Sequence, residues 1–549
     1  MVARSGVLPL KAHCLPFSGI PHTTRLFADF LSYATAVRPF YPRPPHFREW
    51  LKEESKKIND DPSRRARVSQ ILARQNRGWG ASEKALGNIE RLRNGAAAVV
   101  TGQQVGLFGG PTFSLYKALT AVKLAEEATA GGVDAVPIFW LATYDHDLAE
   151  VNQVSLPGPE GAPQTLTLPI HAIAGAPVSS VRLGDEVDPV LNEAAALLGE
   201  NEATTLLREA YRRGETLGTA FARLYTRLFA DWGVIVLDAS DGELHAIAAP
   251  VYRAAIERAN ELTPALLARG DALEAAGYHQ QVNVMLSSTL LFMLRDGVRT
   301  PIHRHEGTVR EFFFDNAPDQ RISEAELLDE IASHPQLFSP NVLLRPVVED
   351  FLLPTLAYTG GAAETAYFAQ AGVVYEALLK RVTPIVPRFS ATIVEPKVQR
   401  LLERYGLNVL DVFSGPDELR QRLAAHSLPQ DLQRAFETTK QSLESQLATI
   451  KENLSKLDRT LVDAGDTAAS KILYQLDKLH GQAARAELQK QDVVRRHAEV
   501  LSESLYPEKA LQERGVAGIY FLARYGRELL HQLYDLLQTD CHDHQIVEL

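Results

Sequence analysis

The stretch that most limits what this chain can fold into is residues 96–127, AAAVVTGQQVGLFGGPTFSLYKALTAVKLAEE. It opens with five apolar residues, the short uninterrupted run expected of a strand buried on both faces. Residues 101–112 then carry Gly102, Gly106, Gly109 and Gly110, followed by Pro111. Glycine lets backbone take positive φ and approach a ligand closely, and Pro111 suits the start of a helix, where its missing N–H costs nothing. From Phe113 onward Leu115, Leu119, Val122 and Leu124 recur at roughly helical spacing. The segment therefore predicts strand, glycine loop, helix. A helix N-terminus placed at the carboxyl end of a strand offers free N–H groups and a positive dipole end to anions. Gly102, Gln103, Gln104, Gly109, Gly110 and Thr112 are the candidate anion ligands, with Lys117 one turn in to add a full charge. The pattern is neither GxGxxG nor GxxxxGK[ST], so a tight turn with no ligand explains it equally well.

A second apolar run, 136–141, ends in Tyr144, Asp145, His146, Asp147, Glu150 and Asn152. Two strands joined by a helix make a βαβ unit, and parallel sheets bind ligands beyond the carboxyl ends of their strands. If the two strands are neighbours, the glycine loop and the acidic cluster face each other. Asp145, His146 and Asp147 are then the candidate catalytic groups, with flanking carboxylates expected to raise the His146 pKa. The plainer reading is carboxylates favouring a helix N-terminus. No ligand spacing as specific as HExxH occurs, and no metal site is expected.

Further on, 233–240 reads as a third buried strand. Asp296–Gly297 reads as the turn of a hairpin, and Ser323 with Glu326 as a capping box. The segment 339–370 sets Asn341, Arg345, Gly361, Glu364, Tyr367 and Gln370 among apolar residues, and 383–394 adds Arg388. Arg345 and Arg388 would either clamp a carboxylate or phosphate through two parallel hydrogen bonds or form buried ion pairs with Glu349, Asp350 or Glu364. His303 and His305 alternate along a strand and read as sheet surface. Cys541, His542 and His544 fall near the end of the chain and read as a disordered tail.

Past residue 396, Leu443, Leu447, Ile450, Leu454, Leu457 and Leu461 follow heptad spacing, and Ile472, Leu476, Leu479 and Ala483 continue it. This predicts an antiparallel helical hairpin over about 430–503, turning at Asp458 or at Gly465–Asp466, with the capacity to pair with a second subunit. An apolar helix over 516–537 closes the chain. The length of 549 residues fits two to four domains. The division expected is a core over 1–395, a helical domain over 396–506 and a returning C-terminal helix over 507–549. A net charge of −11 argues against general binding to nucleic acid or anionic membranes. Two cysteines at opposite ends make no disulfide framework and fit a reducing cytoplasm. No apolar run approaches the roughly 18 residues of a membrane span, and the opening residues lack the apolar region of a secretory leader.

TGQQVGLFGGP with Lys117, FWLATYDHDLAEVN, SPNVLLRPVVEDFLLPT with GGAAETAYFAQ, PRFSATIVEP, and LQERG at 511–515 together resemble the bacillithiol-biosynthesis cysteine-adding enzyme family, BshC. The resemblance runs in order over nearly the whole chain. It implies an α/β fold: a Rossmann-like parallel-sheet core with helical connecting-peptide insertions, plus an α-helical antiparallel coiled-coil domain and a homodimer. It also implies a ligase that joins the carboxyl of L-cysteine to the glucosamine amine of glucosaminyl-malate. Two positions depart from the family's pattern: Tyr144 stands where an acidic residue is usual, and Glu349 where a Gln is usual.

Amide formation from a free acid is uphill in water, so the carboxylate needs activation, commonly by ATP; the sequence leaves Mg²⁺ open. The glycine loop, Lys117, Arg345 and Arg388 are the groups expected to hold the anions. His146 or Asp147 is expected to take the amine proton, and Glu364 and Gln370 to bind sugar hydroxyls. Two alternatives remain at this level. A nucleotidyl transferase shares a glycine loop after its first strand, but its HxGH signature is absent here. A dimeric scaffold that only binds a metabolite is the other.

Overall fold

A computed structural model describes residues 10–58, 60–158, 162–305, 310–425, 430–488 and 492–549. The first nine residues, on which the expectation about a leader partly rests, lie outside these ranges. The opening apolar run forms strand β1, Ala97–Gln103, and the run after it forms β2, Ala135–Leu141. They pair in parallel, Ala97 opposite Ala135 through Gln103 opposite Leu141. With β3 (Ile235–Asp238), β4 (Thr355–Gly360) and β5 (Ile385–Pro387) they make one sheet of order β5-β4-β1-β2-β3. All four pairings are parallel.

Side chains alternate across a strand, and the two faces of β1 feed two different layers. Ala98 and Val100 join one buried cluster with Val136, Ile138, Trp140 and Tyr358. Ala97 and Val99 join another with Leu124, Ala125, Leu356 and Val386. A strand covered on both faces has no wet side, which is why β1 and β2 read as continuous apolar runs. The helix predicted from Phe113 is α1, Phe113–Ala130, and β4 leads into α2, Ala362–Leu379.

The strand order reverses direction between β1 and β4: β2 and β3 extend to one side of β1, β4 and β5 to the other. Such a switch point leaves a crevice at the carboxyl ends of the two central strands. A second, antiparallel sheet places the strand Val298–Arg304 between Ser288–Arg295 and Glu311–Phe314. Its hairpin turns at Asp296 (φ 50°) and Gly297 (φ 81°), the two positive φ values that a tight two-residue hairpin loop requires. The predicted capping box is present, Ser323 Oγ accepting from Glu326 N and the Glu326 carboxylate from Ser323 N.

The chain divides into two compact units. The first comprises Met1–Leu156, Gln164–Thr392 and Glu513–Gln545, and holds both sheets described above. The helix expected over 516–537 is two helices in this unit, Gly518–Tyr525 and Glu528–Leu536, because Gly526 takes φ 73° between them. The tail expectation is overturned. His544 is fully buried, its Nδ1 2.7 Å from Ser390 Oγ and its Nε2 2.8 Å from Thr392 Oγ1.

The second unit comprises Pro157–Pro163, Ile393–Gln512 and Ile546–Leu549. Its long helices α3 (Gln430–Leu457) and α4 (Leu461–Leu488) reverse at Asp458, whose carboxylate accepts from Thr460 N and so holds the turn. Lys440 pairs with Asp477 at 3.0 Å and Lys451 with Asp466 at 2.7 Å, the matching offsets of an antiparallel pair. Ile450, Leu457, Ile472 and Leu479, all on the predicted heptad seam, remain exposed.

Candidate active site

A cavity of about 600 Å³ opens at the switch point. Gly102, Gln103 and Gln104 line it from the end of β1, Trp140, Ala142, Tyr144, Asp145, His146 and Glu150 from the end of β2, and Tyr358, Gly361 and Glu364 from β4 and α2. Lys117, Asn341, Arg345, Tyr367 and Arg388, all singled out from the sequence, line it as well.

The cations on the β1 and β4 side are closed onto carboxylates of the same chain. The buried Lys117 ammonium is 2.8 Å from each of Gly102 O, Gln103 Oε1 and Glu364 Oε2, so its three hydrogens are all engaged. Glu364 also accepts from Tyr358 Oη at 2.6 Å and from Gly361 N at 2.8 Å. Burial opposes its charge, but the Lys117 ammonium holds its carboxyl below the usual range. Gly360 is required at this corner, since a Cβ there would meet Glu364 Cβ at 2.8 Å.

Arg345 donates to Glu349 at 2.6 Å and to Tyr367 Oη at 2.7 Å. Burial pushes the Glu349 carboxyl up to about 8, with Arg345 pulling the other way. Arg388 makes a fork onto Glu513, with contacts of 2.6 and 3.1 Å, and Glu513 also accepts from Ser390 Oγ and Ala391 N. Arg345 thus makes one of the pairs expected for it, with Glu349, whereas the partner of Arg388 is none of the three acids expected. The partner of Arg388 lies 125 positions away in the chain, in the LQERG segment. Asn341 Oδ1 accepts from Leu343 N and Leu344 N, which fixes the turn that starts the helix Arg345–Leu352.

The β2 side is different. Asp145 Oδ2 accepts from Gln104 Nε2 at 2.7 Å, so the glycine loop and the acidic cluster do touch. Asp145 Oδ1 accepts from His146 N. Arg299, on the strand Val298–Arg304, reaches across with its Nη1 3.1 Å from His146 Nδ1. Its Nε and Nη2 donate to Ser339 Oγ and Pro340 O, and its guanidinium carbon lies 3.8 Å from the Phe292 ring centre. The His146 pKa is lowered, by burial first and by the Arg299 guanidinium second, and the neighbouring carboxylates do not reverse this. The expected rise is therefore corrected. The Glu150 carboxyl, exposed at the cavity lining, is raised from its ordinary value by partial desolvation first and by the neighbouring Asp147 and Asp145 charges.

Five residues expected here do other work. Gly109, buried at φ 93°, donates its N–H to Tyr211 Oη at 3.2 Å and its carbonyl accepts from Tyr225 Oη at 3.1 Å. Gly110 O accepts from Gly518 N, and Thr112 gives both its N–H and its hydroxyl to Val516 O. The second half of the glycine loop is thus plugged by its own chain, and the N-terminus of α1 offers no anion site at Gly109–Thr112. Asp147 is exposed outside the cavity and caps the short helix Leu148–Val151 through Glu150 N. Gln370 is fully buried and grips the backbone of Gln281 and Val282. His303, expected on a wet surface, is buried and stacks on Phe313.

The residues that sequence reasoning missed include Trp140, Tyr358, Phe113, Phe292, Arg514 and above all Arg299. Nothing in the hairpin sequence singled out Arg299, since Arg295, His303 and Arg304 are charged or polar on the same two strands. Among the described residues no group of three or more His, Cys, Asp or Glu is placed to hold a metal. No helix among them is long and apolar enough to cross a membrane.

The N-terminal Rossmann-like domain model of bacillithiol biosynthesis BshC matches residues 10–389, and its C-terminal coiled-coil domain model matches residues 391–549. A protein of Koribacter versatilis named "Putative cysteine ligase BshC" is 46% identical over 98% of this chain and 99% of its own length. Proteins of the same name from Solibacter usitatus and Salinibacter ruber are 39% and 34% identical, each over at least 97% of both chains. Both domain models match in order and together take in all but the first nine residues and residue 390, so the chain belongs to the BshC family.

Proposed function

We propose that this protein is a ligase of bacillithiol biosynthesis that joins the carboxyl of L-cysteine to the glucosamine amine of glucosaminyl-malate. The observation that carries the reading is the cavity at the switch point, where a wall of internally paired side chains faces a partly exposed Asp145–His146–Glu150 corner. Its volume of about 600 Å³ lies in the range of small-molecule sites. The family relatives, named for cysteine ligation, support the choice of donor.

ATP is the proposed activator. When bound, it would supply the cysteine carboxylate with a leaving group. The remaining work falls to this chain. Paired Arg345 and Arg388 present fixed N–H geometry rather than a free charge. Asn341 orients substrate at the rim through the amide that its capping oxygen leaves over. Glu150, on the lining of the cavity, takes the proton that the amine loses on attack. The exposed seam of α3 and α4 is proposed to pair with a second copy, giving a homodimer.

The test is purified protein with cysteine, glucosaminyl-malate and ATP, with and without Mg²⁺, read by mass spectrometry. The ligase reading expects the cysteinyl amide. Pyrophosphate release with nucleotide transferred to the sugar acceptor would favour a nucleotidyl transferase, and substrate binding without turnover would favour a scaffold.

A further inference from the structure

His146 was the natural choice for the base that deprotonates the amine, and its bonding argues otherwise. A guanidinium has only donors. With Arg299 Nη1 at 3.1 Å, the Nδ1 of His146 is therefore the acceptor and carries no proton. A neutral imidazole has one N–H, so the proton sits on Nε2. Arg299 cannot turn away: Ser339 Oγ, Pro340 O and the face of Phe292 hold the rest of its head, and its side chain is 7% exposed. Asp145 Oδ1, at 3.6 Å from Nδ1, is beyond hydrogen-bond reach and is already engaged by His146 N. Nε2 is the edge left for a ligand, and no described residue takes a hydrogen bond from it.

We infer that Arg299 locks His146 in the Nε2–H form, so that His146 acts as a hydrogen-bond donor to the oxyanion of the acyl-transfer step and not as the general base, with Arg299 as its positioning residue. This rests on the ligase reading for the reaction, though the tautomer itself does not. In the step, the amine lone pair forms the C–N bond and the carbonyl π pair moves onto oxygen. That oxygen accepts from Nε2–H. When the carbonyl re-forms, the C–O bond to the activating group breaks with its electron pair, and the proton leaving nitrogen goes to Glu150. The depressed pKa of His146 keeps the ring neutral near pH 7, in keeping with a fixed donor.

Two measurements decide it. The first is ¹⁵N NMR of the histidine-labelled full chain, with the His146 signal assigned by its loss in His146→Gln. A pyridine-type Nδ1 with the proton on Nε2 is expected, and a pyridine-type Nε2 overturns the inference. The second is ligation by a substitution series. His146→Gln carries an amide N–H where Nε2–H stood and should lose no more than about tenfold, whereas His146→Asn and His146→Ala should each lose about a hundredfold or more. A Gln variant as inactive as Ala overturns the donor role. If the wild type ligates nothing, the proposed function falls, and the tautomer measurement still decides whether the lock exists.

Discussion

The two sides of the cavity keep their charges in different ways. On the β1 and β4 side, Lys117 and Arg388 each close onto a buried carboxylate of the same chain, and Arg345 onto the buried Glu349 carboxyl. On the β2 side, Asp145 and His146 are about a third exposed and share the single guanidinium of Arg299. The first wall has its cations engaged by partners of the same chain and its geometry fixed. It suits recognition, because it can offer donors in set directions without attracting every anion in solution. The second wall has groups that can change protonation and meet solvent, which chemistry needs.

The contrast can be broken most forcefully at Glu513. Glu513→Ala would leave the buried Arg388 guanidinium without its carboxylate, and should cost roughly 3–5 kcal/mol of stability in urea unfolding. A loss under about 1 kcal/mol would mean that charge pairing does not hold that wall. On the opposite wall, Glu150→Gln should lower ligation turnover about a hundredfold while moving stability by no more than about 0.5 kcal/mol. A matching drop in stability would erase the distinction.

Glu349 gives a pH signature for the rigid wall. Its carboxyl is raised from 4.5 to about 8 in the folded protein, by burial first. Between those values the folded state keeps a proton that the unfolded state has released. The contribution is therefore whole below about pH 4 and is lost as pH rises toward 8, with a slope no steeper than about 1.4 kcal/mol per pH unit. Glu349→Gln should flatten the slope when unfolding is followed from pH 5 to pH 8. The smallest effect is expected at Asp147. Asp147→Ala removes a helix cap and should cost about 0.5–2 kcal/mol, with turnover within about twofold. A large loss of turnover would return Asp147 to the reacting groups.

Local sequence made the parallel strands legible, because 96–100 and 136–141 are apolar on both faces and end in polar clusters. The hairpin turn, the capping box and the Asp458 reversal were legible for the same reason: each depends on residues within four positions of one another. What escaped was long-range. Glu513 reaches Arg388, and Arg299 reaches His146, from segments more than a hundred positions away, and no periodicity encodes such a meeting. The glycine loop misled in its second half because Gly109 and Gly110 serve a backbone path packed against Tyr211 and Tyr225, a use that looks identical in sequence to a ligand cradle.

The Lys117 ammonium has a consequence for how a substrate would be received. By joining Gly102, Gln103 and Glu364 it stitches the tip of one central strand to the opening turn of the helix after its neighbour. The floor between them is ordered when the protein folds, before any guest arrives. Association then has little backbone freedom left to remove there, and the entropic toll of binding should fall on the exposed side chains of the rim and on the guest itself.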